Sequence, residues 1–166
     1  MRRCILSILL ENEPGALSRI VGLFSQRAFN IESLAVSPTD DQTLSRITIQ
    51  TTGDEYVIEQ ILKQVNKLVD VLKVTDLTGG AHVERELMLV KLAAHSVDSR
   101  REIDRCVSVF RAQLVDMNSQ SYVVEVVGSG EKLDAFLVAA GEYTEVIEVV
   151  RSGVIGIGRG DRSLRP

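Results

Sequence analysis

The chain runs twice through the same succession of elements, and this repetition limits what it can fold into more than any other feature. Residues 4–10 are an apolar run that predicts a strand, and in residues 16–27 Leu17, Ile20, Val21 and Phe24 fall on one helical face. Two strand-like runs, 31–36 and 44–51, flank the turn-rich cluster 37–41 and predict a hairpin, with Ser45, Ile47 and Ile49 alternating against Arg46, Thr48 and Gln50. A second helix carries Ile58, Ile61, Leu62, Val65 and Leu68 behind Asp54 as its N-cap, and a strand over 71–77 closes the unit. After a linker over 79–85 the order recurs. Strands are predicted at 87–93, 114–117, 122–127 and 146–150. One helix bears Ile103, Val107 and Phe110, with Ser99 and Glu102 as a capping box, and another over 132–140 bears Leu133, Phe136 and Leu137.

The fold class is therefore α+β, two tandem ferredoxin-like βαββαβ domains over 1–78 and 86–152, with residues 153–166 as a flexible C-terminal extension. The runs ILSILL and LMLVKL are apolar at nearly every position, which predicts strands buried on both faces. Half-domains of this size bury little. The expectation is association with a second copy through sheets or sheet edges.

Composition narrows the class of function. With 45% apolar and 25% charged residues the chain can bury a core, and a net charge of -4 argues against a general nucleic-acid or anionic-membrane binder. Cys4 and Cys106 lie far apart in apolar surroundings, as reduced core residues of a cytoplasmic protein do. Two arginines precede the first apolar run, but Glu11 and Glu13 cut it short and no small-residue cleavage site follows, so it does not read as a signal peptide.

Catalytic constellations are sparse. His82 and His95 have no Cys or His at ligand spacing, and no metal site is expected. Neither cysteine has the electropositive, partly exposed setting of a catalytic thiol. Glu11 and Glu13 read as solvated charges near a helix N-terminus rather than as an acid/base pair. The glycines between Gly153 and Gly160 suggest a phosphate loop only superficially, because no helical period follows them; Arg159, Arg162 and Arg165 remain available to an acidic surface.

That leaves ENEPGAL, residues 11–17. Pro14 suits a first helical turn, Gly15 relieves crowding and Asn12 supports a turn, all without a ligand. The same atoms suit a small carboxylate, which free N–H groups at a helix start attract. In the second copy, Leu10 to Ser18 align with Ala94 to Glu102, which contain neither Pro-Gly nor Asn. The turn does not require those residues to fold, which favours ligand binding.

The run LLENEPGALSRIVGLFSQRAFNIESLAVSPTDDQTLSRITIQT, residues 9–51, closely resembles the ACT domain of the acetolactate (acetohydroxyacid) synthase small-subunit family. The likeness continues through HVERELMLVKLAA and RSGVIGIGRGD. It implies a non-catalytic subunit of a homodimer that activates a large catalytic subunit and confers feedback inhibition by valine. The joining of pyruvate to pyruvate or 2-oxobutyrate in branched-chain amino-acid synthesis, with thiamine diphosphate, Mg and FAD, would belong to that partner; no cofactor is expected in this chain. By the same resemblance valine would sit between two ACT domains, held by Asn12, Pro14, Gly15, Ala16 and Leu17 of one and by Asn30 and Ile31 of the other. Pro14 departs from relatives with a small polar residue there. The second domain is implied to serve dimerisation and subunit contact. Two other readings stay open: a sensor of a different amino acid, and a small independent enzyme acting on an acidic metabolite.

Overall fold

One-sided burial along helices and alternating burial along some of the strands build two α+β units. A computed structural model describes all of residues 1–166. Its elements are β1 (Arg2–Glu11), α1 (Ala16–Gln26), β2 (Ser33–Pro38), β3 (Leu44–Gly53), α2 (Glu55–Val65), β4 (Val71–Asp76) and β5 (His82–Ala93). These are followed by α3 (Val97–Val109), β6 (Gln113–Met117), β7 (Ser121–Gly128), α4 (Gly130–Gly141), β8 (Val146–Arg151) and β9 (Ile155–Gly158). One unit comprises Met1–Glu84 with Val154–Pro166, and the other Arg85–Gly153.

The first unit is an antiparallel sheet in the order β2-β3-β1-β4. Cys4, Leu6, Ile8 and Leu10 of β1, with Ile47 and Ile49 of β3, pack against Ile20 and Phe24 of α1 and Ile58, Ile61 and Val65 of α2. Register is firm where one face is buried, because a one-residue slip would turn that apolar set to the wrong side. The second unit repeats the arrangement in the order β6-β7-β5-β8, with Met88, Val90 and Leu92 against Ile103 of α3 and Leu133 and Phe136 of α4.

Four expectations need correction. Residues 155–158 are not flexible extension but strand β9, which pairs with β5. Gly156 is what lets it lie close: a Cβ there would meet Leu77 Cδ1 at 2.8 Å and the Val83 carbonyl oxygen at 3.3 Å. Next, β5 begins at His82, inside the expected linker. Its first residues, HVERE, are polar apart from Val83, and such a strand looks like a loop when only apolar runs are counted. The first turn of α3 is capped by Ser96 rather than Ser99, which moves the helix start three residues earlier; Ser99 occupies the N3 position of the box.

The fourth concerns β1. It is indeed buried over Cys4–Leu10, but its second face is covered partly within the unit: Ile5 clusters with Leu77 and Val154, and Ser7 Oγ accepts a hydrogen bond from Arg46 Nε at 2.8 Å. Two-sided burial of β1 is therefore no argument for association. In β5 the matching residues Leu87 and Leu89 are 37% and 38% exposed, and that strand alternates instead of being buried throughout.

Candidate functional site

The loop between β1 and α1 is anchored at both ends by backbone. Glu11 N–H donates to the Asp70 carbonyl and Asn12 N–H to the Thr43 carbonyl, both at 2.8 Å. The Asn12 side chain donates from Nδ2 to the Gln42 carbonyl at 3.0 Å, which leaves its amide oxygen pointing away from that bond and able to accept. Pro14 and Gly15 are exposed, and Gly15 turns through the left-handed region at φ 86°. Ala16 begins α1 with its side chain buried in the core, so it offers a ligand only its backbone. Leu17, one residue on, is half-exposed beside the turn.

What distinguishes this helix start is the absence of a cap. Asp54, Ser96 and Ser129 each accept a backbone N–H at the start of α2, α3 and α4, whereas Gly15 has no side chain to do so for α1. Ala16 N–H is taken by the Glu13 carbonyl at 3.2 Å, and Arg19 N–H begins the intrahelical ladder on the Gly15 carbonyl at 3.0 Å. The N–H groups of Leu17 and Ser18 between them have no protein acceptor and carry the positive end of the helix dipole. The second unit contains the same turn without Pro-Gly and closes it with its own serines, Ser96 and Ser99. In the structure this comparison is shifted: the bulge after Leu9 in β1 matches the bulge after Lys91 in β5, two residues away from the alignment expected from sequence. The contrast between the two loops is unaffected.

Sequence reading missed Arg19 and Asp70. Arg19 is one helical turn past Gly15, and its guanidinium lies 3.1 Å from where a Gly15 Cβ would be. Nε and Nη2 donate to the two Asp70 carboxylate oxygens at 2.5 and 3.0 Å, and these hydrogen bonds hold the carboxyl below the usual carboxylate range. The i, i+4 spacing from Gly15 was visible in the sequence. The pairing with Asp70, 51 residues away, was not.

Asn30 and Ile31 are not brought to this loop. Thr51 Oγ1 donates to the Asn30 carbonyl at 2.6 Å, and Ile31 is partly buried against the helix-side core. Asn12 bonds to Thr43 and Asn30 to Thr51, so eight residues of β3, about 27 Å at strand rise, separate the two groups within one chain. A ligand the size of an amino acid cannot touch both within one chain.

Burial pushes the Cys4 thiol up to about 12, with the Asp76 charge adding to it, and burial raises Cys106 as well. His82 Nδ1 lies 2.9 Å from the Gly80 carbonyl and Nε2 3.7 Å from Glu84 Oε2, while His95 is exposed. No three His, Cys, Asp or Glu side chains are grouped to hold a metal ion, and no helix is long and apolar enough to cross a membrane.

Residues 6–73 match the family described as an AHAS small subunit-like ACT domain, which puts the first βαββαβ unit in the class of ACT domains. Residues 85–160 match the family described as the small subunit of acetolactate synthase. The chain is 58% identical over 165 residues to the acetolactate synthase isozyme 3 small subunit of Salmonella typhimurium, covering 99% of this chain and 100% of that one. It is 43% identical to a probable acetolactate synthase small subunit of Methanothermobacter thermautotrophicus, covering 96% and 95%. The crystal structure of the small subunit from Thermotoga maritima superposes with a TM-score of 0.86 at 34% identity, over 98% of this chain and 100% of that one. This chain belongs to the family of acetolactate synthase small subunits, which are regulatory and not catalytic.

Proposed function

We propose that this chain acts in the cytoplasm as a homodimer that activates a catalytic acetolactate synthase subunit and makes it sensitive to valine, as feedback control of branched-chain amino-acid synthesis. Thiamine diphosphate, Mg and FAD belong to the catalytic partner. The observation that carries this reading is likeness to small subunits along the whole chain, at 58% identity. The first unit senses the amino acid, and the second serves subunit contact.

The geometry supports a pocket shared by two chains. The valine carboxylate meets the open N–H groups of Leu17 and Ser18, with Gly15 and Pro14 allowing close approach. The ammonium is held by the amide oxygens of Asn12 and, from the second chain, Asn30, while Leu17 and Ile31 form the apolar wall. Arg19 is committed to Asp70 and sets the electrostatic rim. Because each pocket needs two chains, valine binds one arrangement of the dimer better than others, and that difference in affinity is all a ligand has to shift an equilibrium.

The test is reconstitution with a catalytic subunit, following acetolactate formation with and without valine. The proposal expects activation by this chain and its reversal by valine. No activation, or activation that valine leaves untouched while leucine or isoleucine reverses it, would replace valine or the role itself.

A further inference from the structure

The open face of the first unit's sheet contains an arrangement that the valine pocket does not use. From the strands on either side of β1, Arg46 of β3 and Lys73 of β4 both pair with Leu9 of β1, so the two cations share one cross-strand row with backbones about 10 Å apart. They line a cavity of about 180 Å³ together with Thr75, Leu77, Arg162 and Ser163. Arg162 is held in place from the C-terminal segment. Its Nη1 donates to the Ala81 carbonyl at 3.2 Å, across Gly80, whose absent side chain leaves the room.

Three cations converge here without a counter-charge. In the same unit Arg2, Arg3 and Arg19 each pair with a carboxylate, whereas Arg46, Lys73 and Arg162 form no ion pair. Glu11, one row along the same face, and Asp161, beside Arg162 in the chain, are both exposed and pair with none of the three. Arg46 is partly buried, and its hydrogen-bond acceptors, Ser7 Oγ and the Gly156 carbonyl at 3.1 Å, are neutral. Burial lowers its pKa, with no carboxylate opposing that shift. A chain with 23 acidic residues leaves this group uncompensated. Charged groups removed from water are ordinarily paired, and guanidinium with hydroxyl donors is the set that phosphate oxygens fit.

We propose that this cavity binds a phosphate or diphosphate group, separately from the valine pocket. Arg46 and Lys73 flank the anion, Arg162 closes over it, and Thr75 and Ser163 donate hydroxyls. The volume admits an inorganic phosphate or diphosphate, or the phosphate end of a larger metabolite, but falls short of the several hundred Å³ that a whole drug-sized ligand needs. Occupancy would fasten the C-terminal segment to the sheet.

Calorimetric titration of the full chain with inorganic pyrophosphate, inorganic phosphate and ribose 5-phosphate tests this. Saturable binding of pyrophosphate at one site per chain is expected, weakening with salt. Lys73→Ala and Arg162→Ala, both at exposed side chains, should each weaken it on the order of tenfold, with Lys73→Arg restoring it. Arg27→Ala, on α1 away from the cavity, should leave it unchanged. Ribose 5-phosphate binding as well as pyrophosphate makes the source an organic phosphate, and binding by the inorganic ions alone makes it the free anion. The absence of saturable binding at millimolar ligand, or equal weakening by Arg27→Ala, overturns the proposal. Thermal unfolding of each variant without ligand separates loss of binding from loss of fold.

Discussion

At Gly15 the backbone turns through φ 86°, and a side chain there would meet the Arg19 guanidinium at 3.1 Å. Gly15→Asp should therefore cost about 1 kcal/mol of stability for the left-handed backbone, while the new carboxylate repels a ligand carboxylate and competes with Asp70 for Arg19. In the reconstituted enzyme we expect activation to persist and valine inhibition to disappear; inhibition retained at wild-type strength would remove the loop from the site. Asp76 provides a pH handle. Burial alone would raise its pKa, but hydrogen bonds from Thr78 and from Arg2, the latter at 2.9 Å, more than reverse this and leave it below the unfolded value. Its stabilisation is thus present above about pH 4 and lost as pH falls through the folded pKa. Asp76→Asn should lower the neutral-pH melting temperature and flatten its fall in acid, as followed by circular dichroism. Single residues were only half legible in sequence: Gly15 and Asn12 announced themselves by type, whereas Asp70 matters only because the fold sets it beside Arg19.

Helix starts show what a missing cap means. Ser96→Ala should destabilise the chain by about 1 kcal/mol, because Ser96 Oγ accepts the Ser99 N–H at 3.0 Å and reciprocates through the box. No equivalent loss is available at α1, whose open N–H groups should instead be stabilised by ligand, so valine should raise the melting temperature of the wild type but not of Gly15→Asp. Repeated βαββαβ periodicity made eight strands and four helices readable, with errors confined to ends. β9 escaped because Ile-Gly-Ile-Gly alternation resembles a flexible tail until its partner, the polar start of β5 some seventy residues earlier, is known. Gly156→Ala tests that packing. The added methyl would meet Leu77 and the Val83 carbonyl, and the expected result is a lower melting temperature with unchanged helix content.

For the molecule as a whole, the C-terminal segment belongs to the first unit's architecture. Truncation after Gly153 would uncover Ile5 and Leu77, remove buried Val154 and strip Arg46 of the Gly156 carbonyl. Denaturant unfolding should then report a loss of at least about 2 kcal/mol, the scale of one fully buried valine side chain. The proposed valine pocket would draw on more than one chain, because Asn12 and Asn30 lie at opposite ends of β3. That separation gives a sharp experiment: co-express Gly15→Asp and Asn30→Ala chains and titrate the mixed dimers with valine. Each variant alone should bind none. In the mixture, hybrid dimers carry one doubly damaged and one intact pocket, so binding should return at about a quarter of the wild-type number of sites. Failure of the mixture to recover any sites, with both parents folded and dimeric, would contradict a valine pocket built from two chains.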